Sequence, residues 1–126
     1  MSFSSKVKEE LESISRKDFT LKGKTSKISS KGLIRDAFLQ SGSISDPEKF
    51  YHLEIVFTSY DDAQTIKKLI DGFGLDGKIV ERKGHYVVYL KEGAQIADML
   101  RIMEAPMALI IHLKILLQYH RLKILL

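Results

Sequence analysis

The stretch FLQSGSISDP, Phe38 to Pro47, gathers hydroxyls at Ser41, Ser43 and Ser45 beside the carboxylate of Asp46, with Asp36 a little upstream. Such a set could serve metal-assisted phosphate chemistry only if the carboxylates do the ligating, because Mg²⁺ is held through carboxylates, waters and phosphate oxygens. Asp46 precedes Pro47, and Asp-Pro is first of all a turn signal. Asp36 lies five residues before Ser41, which is about 140° round a helix of 3.6 residues per turn, so the two positions do not address one point. Histidines offer nothing firmer. His52, His85, His112 and His120 lack metal-site spacing, since the separation of eight between the last two overshoots one helical turn. Isolated, hydrogen-bonded histidines are the plainer reading.

A second group is basic. Lys78, Arg82, Lys83, His85 and Lys91 are interleaved with Tyr86 and Tyr89, a pattern that suits phosphate contacts giving salt-dependent, sequence-independent affinity for DNA. Glu54 and Glu81 fall among the same positions and would oppose a phosphate. The competing reading is a solvated face.

These residues need elements to place them. In FSSKVKEELESI, Val7, Leu11 and Ile14 recur at helical spacing with Ser4 or Ser5 available as N-cap, which predicts a helix over 1–14. Ser15 to Lys31 holds six Lys or Arg against one Asp and reads as a basic linker. GLIRDAFLQSG resumes a helix with Ile34, Ala37, Phe38 and Ser41 on one face, and Gly42 is suited to ending it. Beyond Asp46-Pro47, Tyr51, Leu53, Ile55 and Phe57 alternate with His52, Glu54, Val56 and Thr58, the mark of a half-buried strand. Ser59 and Asp62 form a capping signature before a helix with Ile66, Leu69, Ile70 and Phe73 on its core side. KIVERKGHYVVYLKE predicts a hairpin turning near Lys83-Gly84, and a further helix carries Ile96, Met99, Leu100 and Met103 inward. The order is that of an α+β domain with helices on one face of an antiparallel sheet and the other face open.

The C-terminal ALIIHLKILLQYHRLKILL breaks the pattern: no acidic residue follows Glu104, and Leu and Ile crowd nearly every position. A buried or dimer-facing helix, a basic helix lying on a membrane surface, and an altered C-terminus without a structural role are the three readings. A spanning helix is disfavoured by Lys114, Arg121 and Lys123.

The 126 residues fit one domain, and a hydrophobic share of 44% supports a real core. Twenty Lys plus Arg against sixteen Asp plus Glu give +4, a mild bias that suits a polyanion without requiring one. The absence of cysteine removes disulfides, thiolate catalysis and cysteine-ligated zinc. MSFSSKVKEELESI has no apolar h-region of the signal-peptide kind, so the expectation is a cytoplasmic protein, nucleoid-associated if DNA is its partner.

KGLIRDAFLQSGSISDPEKFYHLEIVFTS and DGFGLDGKIVERKGHYVVYLKEGAQIADMLRIMEAP resemble the second half of the LAGLIDADG-like N-terminal domain of the WhiA family of sporulation transcription regulators, and MSFSSKVKEEL resembles the start of that family. The resemblance implies a single α-β-β-α-β-β-α half over 32–110, preceded by the N-terminal helix and the 15–31 linker, and followed by an apolar tail over 111–126. Family members are similar in carrying two such halves and then a helix-turn-helix; here the first half has no counterpart, and no helix-turn-helix follows Ile110. In homing endonucleases of the LAGLIDADG type this helix ends in a metal-binding Asp just before Gly-Ser, a position that Ser41 occupies here.

The resemblance therefore implies a non-catalytic, DNA-associated module for transcription, cell-division or sporulation control, with no metal, cofactor or small-molecule substrate. It also implies a homodimer, because the helix that pairs with its counterpart in the two-half proteins would pair here with a second copy through Ile34, Ala37, Phe38, Ser41 and Gly42. For part of that face the equal alternative is that Leu33, Ile34 and Phe38 bury against the chain's own sheet, and both can hold on different sides of one helix. The alternative is a dimerisation or interaction scaffold without DNA binding of its own.

Overall fold

A computed structural model describes residues 2–22 and 29–125, those of 14–22 and 120–125 as helical backbone only. In chain order the elements are α1 (Phe3–Lys22), α2 (Ser30–Ser41), β1 (Gly42–Ile44), β2 (Leu53–Phe57), α3 (Tyr60–Gly72), β3 (Lys78–Arg82), β4 (His85–Leu90), α4 (Gly93–Ile102) and α5 (Pro106–Leu125). The strands form one antiparallel sheet in the order β1-β2-β4-β3, so β4 and β2 are central and β1 and β3 are edges.

The alternation in β2 sets the faces. Leu53 and Ile55 are buried and pair with Leu90 and Val88, while Glu54 and Val56 pair with Tyr89 and Val87 on the opposite side. The inner face packs with Phe38, Ile66, Ile70, Ile96 and Leu100 into one core. Burying a side chain such as Phe38 contributes about 2 kcal/mol, so this cluster dominates the stability. The α+β class with helices on one sheet face is thus observed.

Local signals explain most element ends. The Ser59 hydroxyl accepts the Asp62 N–H as N-cap of α3. At the tip of the β3–β4 hairpin Lys83 and Gly84 both have positive φ, 53° and 80°, the backbone of a two-residue turn matched to strand twist. Phe73 departs from the core stripe expected of it: it caps the C-terminus of α3 and is 37% exposed.

The two ends of the chain differ more from expectation. Ser2, and neither Ser4 nor Ser5, caps α1, since its hydroxyl accepts the Ser5 N–H; Ser4 instead accepts the Ile44 N–H of β1. Helix α1 continues to Lys22, into the segment read as a linker; the rest of that linker lies outside the described residues up to Ser29, which caps α2 through the Gly32 N–H. Val7 and Leu11 are fully buried, whereas the side chain of Ile14 lies outside the described residues.

The boundary expected at Ile110 falls inside α5. This helix begins after a turn in which Glu104 takes a left-handed φ of 66°, with Ala105 N–H donating to Leu100 O and Glu104 N–H to Arg101 O, a Schellman closure of α4. Both oxygens of Glu10 on α1 then accept the Met107 and Ala108 N–H groups at 2.7 and 3.0 Å, supplying the helix with a cap from the far end of the chain. Ala108 and His112 are buried one turn apart. His112 Nε2–H donates to Gly93 O at 2.8 Å, its ring meets Tyr51 edge-on, and burial pushes its pKa below the usual histidine value while the Gly93 bond acts the other way. Gly93 lies close under α5, since a Cβ there would stand 2.7 Å from the end of the Leu116 side chain. The reading of this segment as lacking a structural role therefore fails through residue 119. Among the described residues no helix is long and apolar enough to cross a membrane.

Candidate nucleic-acid interface

Two places hold the chemistry-bearing residues: the junction of α2 with β1, and the sheet face that the core helices leave open.

At the junction the chain passes from Ser41 straight into β1 with no loop between. Gly42 makes this possible: its φ of −91° is ordinary, but an added Cβ would lie 2.7 Å from Phe38 O and closer still to Phe38 Cδ1. The Ser41 hydroxyl donates to Val56 O of β2 at 2.6 Å, tying the helix end to the neighbouring strand. A carboxylate placed there would face that carbonyl oxygen instead of a hydrogen-bond donor. Asp46 Oδ1 accepts the Glu48 N–H at 2.9 Å, and Ser45 donates to Phe50 O while accepting the His52 N–H, so both serve the turn. Among the described residues no cluster of three His, Asp or Glu could hold a metal ion.

The small-residue face of α2 is not free for a second copy in the way expected. Ile34 and Phe38 are wholly buried in the chain's own core together with Val7 and Leu11 of α1, and Lys8 Nζ lies 5.8 Å from the Phe38 ring centre. Gly42 is also buried, which leaves the half-buried Ala37 and Ser41. Helix α1 covers part of the surface on which the dimer expectation rested.

The open sheet face carries Lys78, Val80, Arg82, His85 and Tyr89 from the hairpin and Lys91 just after it, with Glu54 and Val56 from β2 and His52 just before it. Pairing of Lys78 with Tyr89 and of Arg82 with His85 confirms that these side chains share one face. Lys78, Arg82, Lys83, His85 and Lys91 are all exposed, Lys83 at the turn itself. Most are already engaged. Arg82 grips Glu54 with both Nη atoms, at 3.2 and 2.7 Å; Lys78 Nζ meets Asp76 at 2.7 Å; and the His85 ring donates to Lys83 O. Lys91 Nζ stands 5.5 Å over the Tyr89 ring, whose plane is stacked on His52. Glu81 pairs with Tyr86 and so falls on the opposite side of the sheet from Glu54. The Arg82 hydrogen bonds hold the Glu54 carboxyl below its ordinary range against an opposing effect of burial, and His52 Nε2, 2.7 Å from Glu54 Oε1, adds to the lowering. Asp76 is likewise lowered, chiefly by Lys78.

The expected basic residues are thus brought together, but the sequence did not reveal how they are paired. The alternation in β2 placed His52 and Glu54 on one face; that Arg82 would reach Glu54 depends on β4 lying between β2 and β3, which no local pattern encodes.

An α-β-β-α-β-β unit whose first helix ends against the sheet, backed by helices on one face and open on the other, is the architecture of a LAGLIDADG-like half. The family model of the WhiA LAGLIDADG-like domain matches residues 30–118, and the chain belongs to this family. It is 60% identical over 77 residues to a "Probable cell division protein WhiA" of Alkaliphilus oremlandii, a match covering 61% of this chain and 24% of the relative. It is 47% identical over 103 residues to the protein of the same name from Caldicellulosiruptor saccharolyticus, covering 82% and 31%. The chain therefore spans only about a quarter to a third of the length of these relatives. Among solved structures, full-length DUF199/WhiA from Thermatoga maritima shares the fold with a TM-score of 0.67 at 24% identity, over 71% of this chain and 32% of that one. The N-terminal LAGLIDADG domain of DUF199/WhiA superposes with a TM-score of 0.55 at 27% identity, over 59% and 38%.

Proposed function

We propose that the chain is a non-catalytic, DNA-associated regulatory module that acts in cell-division, sporulation or transcription control, and that it meets DNA through the open sheet face. The observation that carries this reading is the convergence of Lys78, Arg82, Lys83, His85 and Lys91 on one exposed surface with the Tyr89 ring between them. Such a surface contacts phosphates and reads no base sequence. The engagement of Ser41 with Val56 O and of Asp46 with its own turn supports a role without strand cleavage. The fluorescence anisotropy of a short labelled duplex, titrated at about 50 and 200 mM salt, tests it: affinity falls steeply with salt, and Lys83→Gln with Lys91→Gln flattens the slope by about two contacts. Salt-independent binding, or none at tens of micromolar protein, overturns the DNA reading, and plasmid nicking that requires Mg²⁺ overturns the non-catalytic one.

A specific observation favours a second reading, association through α5. Met107, Ile110, Ile111, Leu113 and Leu117 are each at least 37% exposed, and Ile110, Leu113 and Leu117 follow the i, i+3, i+7 spacing of a helix–helix seam. A homodimer formed there takes the place of one formed through α2. Light scattering at high concentration separates the two: Leu117→Gln returns an α5 dimer to monomer, and Ala37→Gln leaves it intact.

A further inference from the structure

The cationic surface contains one feature that the binding of DNA does not explain. Glu54 lies in its middle with a side chain only 13% exposed, and Arg82 of β3 and His52, just before β2, converge on it. Arg82 on edge strand β3 reaches diagonally across the whole of β4 to do so, and Val87, on the same face between the partners, is 1% exposed. The guanidinium is 53% exposed above a recessed carboxylate, so the cation is presented to solvent with its anion beneath it. We propose that Glu54 is a built-in counter-ion that competes with phosphate for Arg82 and so restrains the affinity of the open face for polyanions.

The inference deepens the DNA reading and rests on it for the identity of the polyanion. Its physical basis is a contest between like bonds. A carboxylate and a phosphate both take an arginine fork through two charge-assisted hydrogen bonds, so each can replace the other on the same donors. The Arg82 side of the pair is open to solvent, so a phosphate can reach the guanidinium without unfolding the sheet. Held by Glu54, Arg82 adds no net charge to the face; released, it is a full phosphate contact. His52 does not relieve the restraint, because it donates to the same carboxylate while stacked on Tyr89. Lys83 and Lys91, which have no carboxylate partner among the described residues, supply the affinity that remains under restraint.

The test uses the whole chain against two probes, a short duplex DNA and a heparin column. Glu54→Gln keeps the shape and the hydrogen-bond acceptor but removes the charge, with Glu54→Ala as a second variant and Glu12→Gln, on the exposed side of α1, as the control of equal net charge. The expected result for Glu54→Gln is about tenfold tighter duplex binding near 100 mM salt, a salt slope steeper by about one contact, and later elution from heparin. The gain disappears when Arg82→Gln is added. A gain no larger than that of Glu12→Gln, or unchanged binding to both probes, overturns the inference. Later elution from heparin without any duplex binding leaves the counter-ion in place and removes the DNA reading instead.

Discussion

The α2–β1 junction and the open sheet face both hold polar residues capable of chemistry, and they use them in opposite ways. At the junction each group is fixed by backbone: Ser41 by Val56 O, Asp46 by Glu48 N–H, and Gly42 by the absence of room for any side chain. On the face the groups are fixed by one another, through pairs whose cations are open to solvent and to competing ions. A polar residue bound to backbone is tied to the fold, the more so where, as for Ser41, the bond is partly buried, whereas a pair between side chains is available for exchange. The difference separates a junction committed to architecture from a surface whose pairs remain open to exchange.

The contrast is open to direct attack. Its largest expected break is Gly42→Ala, where the methyl group must displace Phe38 and its carbonyl; we expect a loss of about 3 kcal/mol in urea unfolding, and a loss near zero would mean that the junction has slack. Next comes Ser41→Ala, expected to cost about 1 kcal/mol by leaving Val56 O without its donor, while Arg82→Gln shifts the melting temperature by less than Ser41→Ala does. Should Arg82→Gln prove the more damaging, the face would be a structural network and the contrast would collapse.

The smallest effect concerns acid. Glu54 is held below its ordinary 4.5, so its contribution is complete above that pH and is lost only as pH falls through the lower folded value. His112 has a folded pKa below its ordinary 6.5, so the unfolded chain takes up a proton first and stability declines as pH drops beneath 6.5. Stability measured between pH 7 and 5 should therefore fall as the pH drops, and His112→Gln should abolish that slope; a slope that persists would place acid-labile pairs elsewhere.

These effects also show which features a linear reading can reach. The strand alternation around Leu53 and Ile55, the Ser59 cap, the turn at Lys83-Gly84 and the stripe of Ile96, Met99, Leu100 and Met103 are all local, and all stand in the structure as expected. Whether Ile34 and Phe38 bury within the chain or against a second copy stays open in the sequence, because the choice between an intramolecular and an intermolecular partner leaves no trace in helical spacing; the structure buries both in the chain's own core with Val7 and Leu11. Helix α5 was opaque for a related reason: apolar residues all round a helix erase the periodicity that would reveal its buried side. Arg82 with Glu54, and Glu10 with the start of α5, join residues 28 and 97 positions apart. The basic cluster itself was legible; its internal neutralisation was not.

That last contact also imposes a chronology. Glu10 of α1 is synthesised before α5, and the N–H groups it caps follow 97 and 98 residues later. The entropy of closing so long a loop is recovered only when the sheet between has already drawn the ends together. Synthesis in the N-to-C direction thus leaves α1 waiting on α5, and a carboxylate from the middle of α1 acts as the latch that closes the start of α5.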